Sequence, residues 1–146
     1  MIFQAIDKNG EEIEFNEQQL IGKITVLYFY PKDNTSGCTK EACDFRDNAN
    51  RLTAVADVVG ISPDSIESHK KFQQKQMLNF MLVSDVGHEL AKKYGVWKEK
   101  SMYGRKYMGI ERSTFILDKK GEIIKEWRKV KVPGHVEEVL CFLLNI

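Results

Sequence analysis

Residues 24–30 read ITVLYFY, an unbroken run of β-branched, aliphatic and aromatic side chains that ends directly at Pro31. Alternate residues of a strand face opposite ways, and here neither set is polar. The run is therefore a strand buried on both faces, in the middle of a sheet with helices packed above and below. That requirement points to an α/β protein.

The rest of the chain supplies partners for this strand. AVADVVGIS, ending at Ser62-Pro63, and FMLV at 80–83 read as further strands, and residues 3–15 alternate around Lys8-Asn9-Gly10 as a weak hairpin. STFILD (113–118) and EIIKEWRKV (122–130) form a second hairpin across Lys119-Lys120-Gly121. After the polar loop Lys32–Gly37, the residues Cys38, Ala42, Phe45, Ala49 and Leu52 fall on one helical stripe. Further helices are predicted over 65–76, behind Pro63 and its neighbouring acids, and over 89–94, where Gly95 ends the pattern. A final amphipathic helix begins near Gly134 and carries Val136, Val139, Leu140, Leu143 and Leu144. The expectation is one domain over 1–146, an α/β sandwich with a central mixed β-sheet flanked by helices.

The PKDNTSGCTKEACDFR stretch (31–46) places Cys38 and Cys43 at the start of the first of these helices. A chain of this length can bury about 70% of its unfolded surface without covalent staples. In the predicted helix the two cysteines lie about 140° apart around the axis and ~7.5 Å apart along it, so their sulfurs cannot bond while it is intact. C-x4-C also lacks a second Cys/His pair at zinc-finger spacing, and His69, His88 and His135 are scattered, each expected to be a surface or capping residue. Asp33, Thr35 or Ser36 is positioned to cap the helix, and Cys38 in its first turn meets free amides and the positive end of the dipole, which favour a thiolate. A staple, a metal half-site and a redox pair remain open on this reading. C-x-x-C is absent, which weakens a general dithiol oxidoreductase.

At these residues the chain resembles the peroxiredoxins, and within them the bacterioferritin comigratory protein, or PrxQ, branch. The family pattern P-x-x-x-T-x-x-C is met by Pro31, Thr35 and Cys38, and the branch's C-x-x-x-x-C by Cys38 and Cys43. Similarity continues through GISPDSIESHKKF (60–72), YGVWKEKSMYG (94–104) and GIERSTFILDKKGEI (109–123). The resemblance implies a thioredoxin-like fold and a thiol peroxidase with Cys38 as peroxidatic cysteine. It implies that Thr35 and Arg112 contact sulfur and peroxide, that Pro31 shields the pocket, and that Cys43 resolves the sulfenic acid as an intramolecular disulfide. Thioredoxin, or a similar dithiol, would reduce that bridge. The chain departs from the family at Ser36, where Pro is usual, and at Met1-Ile2-Phe3, which replaces the usual N-terminal approach and is expected to leave the first strand's edge less covered.

Composition narrows the setting. A net charge of +1 with 29% charged residues lacks the basic excess expected of a nucleic-acid binder. No apolar run approaches the ~20 residues needed to cross a bilayer, and the N-terminal residues resemble no leader. The expectation is a cytoplasmic, monomeric peroxidase for hydrogen peroxide and organic hydroperoxides, without metal, haem or flavin. The alternatives are a non-enzymatic switch built on Cys38 and Cys43, or a reductase of protein disulfides. Cys141 is expected to be a structural or partly exposed thiol, with intermolecular resolution as its rival role.

Overall fold

The computed structural model describes residues Met1–Ile146. The ITVLYFY run supplies β3 (Thr25–Phe29), every residue of which is buried. Its neighbours are β4 (Asp57–Ser62), parallel to it, and β8 (Ser113–Leu117), antiparallel. Outward from β4 come β5 (Met81–Ser84), parallel, then β1 (Phe3–Ile6) and β2 (Glu12–Phe15). β9 (Ile123–Trp127) closes the other side, giving the seven-strand order β2-β1-β5-β4-β3-β8-β9.

Period-two alternation along β3 divides the core. Val26, Tyr28 and Tyr30 face one cluster, with α1 (Ser36–Asp47), α2 (Ala49–Leu52), α3 (Ile66–Gln76) and α5 (His135–Leu144) packed over it. Leu27 and Phe29 face the other, covered by α4 (Glu89–Lys93) through Leu90 and Ala91. Aromatic contacts reinforce the first cluster: Tyr28 lies 4.6 Å from Phe45 and 5.4 Å from Tyr30, centroid to centroid. These are distances at which ring pairs contribute about 1 kcal/mol beyond area burial. Mixed sheet, flanking helices and both hairpins agree with the sequence reading.

Three points correct it. β1 is hydrogen-bonded on both sides, to β2 and β5, so neither of its edges is left open. Leu144 is exposed, and the apolar stripe of α5 is Val136, Val139, Leu140 and Leu143. A separate hairpin, β6 (Trp97–Met102) with β7 (Arg105–Ile110), stands apart from the main sheet where no strand was predicted. No helix is long and apolar enough to cross a membrane.

Candidate active site

The chain leaves β3 at Tyr30, bends at half-buried Pro31 and enters α1 at Ser36, so the helix begins beside the carboxyl end of a central strand. Thr35 is the N-cap residue by backbone geometry, but no side chain caps the helix. Its hydroxyl donates instead to the Lys32 carbonyl (2.9 Å), and Asp33 is buried elsewhere, so the predicted capping by these residues is not realised. Asn34 reverses the chain at φ 62°, a conformation Asn tolerates better than most residues.

Cys38, in the first turn, is 1% exposed and part of the core cluster. Opposite it stands Arg112. Because β8 runs antiparallel to β3 with Ser113 opposite Phe29, the residue before β8 arrives level with the end of β3. Arg112 Nη2 donates to Cys38 Sγ at 3.1 Å and Nη1 to Glu41 Oε1 at 2.6 Å. The guanidinium also lies against Gly37, where an added Cβ would come within 3.4 Å of Nη2. A cation fixed beside a sulfur favours its anionic form, and the bond to Glu41 orients that cation.

Glu41 was not anticipated as a site residue. It is fully buried, and burial pushes its carboxyl up to about 7 against the opposing pull of Arg112. Burial alone would lower Arg112, but Glu41 and then Cys38 outweigh it and hold the guanidinium protonated. Glu41 lies three residues after Cys38 and directly before the stripe residue Ala42, and a carboxylate so close to a buried stripe needs a cationic partner. Two further groups feel this centre. The Tyr28 phenol is raised by burial, then by Glu41 and Cys38. Lys100, on β6, is lowered by partial burial and then by Arg112, with Cys38 opposing.

Cys43 is half-buried five residues along the same helix, its thiol 3.6 Å from Gln76 Oε1, and α1 is unbroken from Ser36 to Asp47. All three cysteines are free, and Cys141 is exposed on α5. Two of the three histidines depart from expectation, while His88 keeps to it as the half-exposed residue at the N-cap position of α4. His69 is fully buried, with Nδ1 2.7 Å from Asp33 Oδ2 and Nε2 donating to the Val83 carbonyl at 3.0 Å. His135 is buried against Thr114 (2.7 Å), and burial, then Arg112, lowers its ring to about 4. His88 stacks on Trp97 at 3.9 Å. Among the aromatics, Trp127 packs on His135 and Phe142, whereas Tyr103 and Tyr107 project from the β6–β7 hairpin into solvent.

The structure thus joins Cys38 and Arg112 directly, puts Pro31 and Thr35 in the loop leading to them, and holds Cys43 apart on the same helix. The AhpC/TSA family profile matches residues 2–126. Peroxiredoxin Bcp of Bacillus subtilis is 53% identical over 139 residues, covering 94% of this chain and 87% of its own length. Peroxiredoxin Bcp of Escherichia coli is 41% identical, covering 97% of this chain and 90% of its own. The solved structure of Xanthomonas campestris peroxiredoxin Q superposes with a TM-score of 0.92 at 40% identity, over 99% of this chain and 90% of that one. A second structure, of the bacterioferritin comigratory protein from the same organism, described in terms of its alkyl peroxide reduction activity, gives 0.91 at 39% identity, with the same coverage.

Proposed function

Since the chain belongs to the AhpC/TSA family, in its peroxiredoxin Bcp branch, and is a thioredoxin-fold thiol peroxidase, we propose that Cys38 is its peroxidatic cysteine and Arg112 the residue that activates it. The observation that carries this is the 3.1 Å contact from Arg112 Nη2 to Cys38 Sγ, with Glu41 holding the other end of the guanidinium.

In the cycle, the Cys38 thiolate attacks the nearer peroxide oxygen. The O–O bond breaks, the departing oxygen leaves as water or an alcohol after taking a proton, and the sulfur becomes a sulfenic acid. Arg112 is placed to stabilise charge on the oxygens as that bond lengthens. The Thr35 hydroxyl, whose proton is engaged by Lys32, offers its lone pairs to the peroxide O–H, and Pro31 limits access of water. Cys43 then displaces hydroxide from the sulfenic sulfur. Because α1 keeps the two thiols apart, its first turns must unwind before the Cys38–Cys43 disulfide forms. A dithiol of the thioredoxin type returns both to thiols.

The 146 residues act as one peroxiredoxin domain, monomeric and cytoplasmic, on hydrogen peroxide and organic hydroperoxides, with no cofactor and no nucleic-acid or membrane partner. The deciding experiment is peptide mapping after a single equivalent of hydrogen peroxide without reductant. Trypsin cleaves at Lys40, between the two cysteines, so a Cys38–Cys43 bridge is recovered as two linked peptides. That product, with turnover supported by thioredoxin and its reductase, is expected. An unmodified Cys38 overturns the assignment, and Cys38 linked to Cys141 or overoxidised reassigns the resolving step.

A further inference from the structure

α1 is held unequally at its two ends. At its start no side chain caps the helix, and the side-chain tether there is Arg112, which reaches Cys38 and, half a turn or more on, Glu41. Oxidation of Cys38 to the sulfenic acid puts an oxygen on the very sulfur that accepts the Arg112 bond. The far half is strapped to the end of α3. Arg46 Nη1 donates to the Gln76 carbonyl at 2.6 Å, while Asp47 Oδ1 steadies the same guanidinium through Nε (3.0 Å) and Nη2 (2.9 Å).

Gln76 is the last residue of α3, and Met77 after it turns into the left-handed region at φ 53°. A carbonyl at a helix C-terminus lacks its intrahelical donor and carries the negative end of the dipole, so a guanidinium there is well matched. The Arg46 side chain is 29% exposed, enough shielding for a charge-assisted bond to count. Asn79 Nδ2 returns a longer contact to the Arg46 carbonyl (3.5 Å), and the Cys43 thiol points at Gln76 Oε1. One turn of α1, residues 43–46, is thereby fixed to the end of α3.

We propose that Arg46 is a positioning residue for the resolving step: by strapping the Cys43 turn to α3 it sets how often the two sulfurs meet, and so how long the sulfenic acid survives. This rests on the assignment of Cys43 as the resolving thiol. In that step the Cys43 sulfur bonds to the Cys38 sulfur, the S–O bond breaks, and the hydroxyl leaves as water with the Cys43 proton. The sulfenic acid has a competing fate. A second peroxide oxidises it to sulfinic acid and is itself reduced to water or an alcohol. Loosening the strap favours the disulfide over the sulfinic acid and leaves the first oxidation untouched.

The test compares wild type, Arg46→Ala and Arg46→Lys by rapid mixing with peroxide, followed by thiol trapping and mass analysis over time. Losing one charge-assisted bond raises the fraction of open helix, so disulfide formation in Arg46→Ala is expected to accelerate roughly three- to tenfold. The peroxide concentration that half-converts Cys38 to sulfinic acid rises in the same proportion, and sulfenic acid formation keeps its wild-type rate. Arg46→Lys, which keeps the stem packing and a donor, falls between the two and serves if the alanine variant does not fold. Equal or slower disulfide formation in a folded variant, with an unchanged sulfinic threshold, overturns the proposal. A wild-type protein that never forms the Cys38–Cys43 bond overturns the Cys43 assignment and this proposal with it, and the wild-type arm shows that before any variant is read.

Discussion

Arg112 and Glu41 meet at 2.6 Å beneath the first turn of α1, and the same guanidinium reaches the Cys38 sulfur with its other nitrogen. Sulfur and carboxylate thus share one cation, and the carboxylate fixes its direction. Replacing Arg112 with Met removes the donor to sulfur and, in the proposed cycle, the donor to the peroxide with it. The second-order rate with hydrogen peroxide is expected to fall by roughly 10²–10³, the range seen when a single preorganised donor is lost. Arg112→Lys keeps the charge but cannot serve both groups with a planar fork, and should recover only part of the loss. Stopped-flow oxidation of the reduced protein measures both, and wild-type rates in Arg112→Met would remove Arg112 from the mechanism.

Two buried groups give opposite dependences of stability on pH. Glu41 titrates at about 7 in the folded chain against an ordinary value of 4.5, because burial disfavours its anion. Between those values the folded state binds the extra proton, so this group lowers stability as pH rises, by about 3 kcal/mol in all. His135 titrates at about 4 against 6.5, so between those values the unfolded state binds the extra proton and stability falls as pH falls. Its magnitude is at most similar, reduced by whatever water reaches the ring. From pH 4.5 to 6.5 the two slopes oppose each other. Urea unfolding of the reduced protein should show Glu41→Gln gaining on wild type as pH rises and His135→Gln gaining as pH falls. Parallel curves for all three proteins would disprove both shifts.

What could be seen in the sequence was whatever has an apolar face. β3, β4, the stripe of α1 and the α5 helix each leave a period-two or helical signature because one face or both are buried. The β6–β7 hairpin leaves none, since Lys98, Glu99, Ser101, Arg105 and Lys106 face solvent and its strands pair only with each other. Its turn uses Tyr103-Gly104, both at positive φ, where Asn-Gly or Asp-Gly is the usual signal. The buried polar residues Asp33, Glu41, His69 and His135 look like surface positions in one dimension, because the charged or polar partner that each meets across the fold is 21–71 residues away in the chain. The Cys38–Arg112 pairing was reached through the family motif, which spacing alone does not supply.

Thr35 sits at the helix entrance with its hydroxyl proton engaged by the Lys32 carbonyl. Thr35→Val keeps the shape of the side chain but loses that bond and the acceptor oxygen that the proposed cycle offers to the peroxide. A fall of about 10- to 100-fold in kcat/KM for peroxide is expected, within the range for one positioned polar group. Thr35→Ser restores the hydroxyl and should remain within about threefold of wild type. Steady-state assays with both variants distinguish a chemical role from a steric one, since a steric role leaves Thr35→Val active.

Asp33 belongs to the loop between Pro31 and Cys38, yet its carboxylate lies inside the protein, where it accepts from Tyr30 Oη (2.6 Å) and Ser68 Oγ (2.9 Å) and pairs with His69 Nδ1. Its backbone N–H donates to Asp64 Oδ2 (2.8 Å), and that oxygen also accepts from Ser62 Oγ. The loop is thus pinned to α3 and to the end of β4 by bonds shielded from water. Removing one partner of a buried hydrogen bond such as Asp33–His69 costs about 1–3 kcal/mol. Asp33→Asn and His69→Gln should each lower urea stability by that order, and the double variant by little more than either single one, because both changes break the same bond. With its anchor gone the loop no longer holds Thr35 and Cys38 in place, so kcat/KM falls in all three variants. Additive losses of stability in the double variant would mean that Asp33 and His69 act independently, and full peroxidase rates in folded single variants would mean that the loop keeps its shape without them.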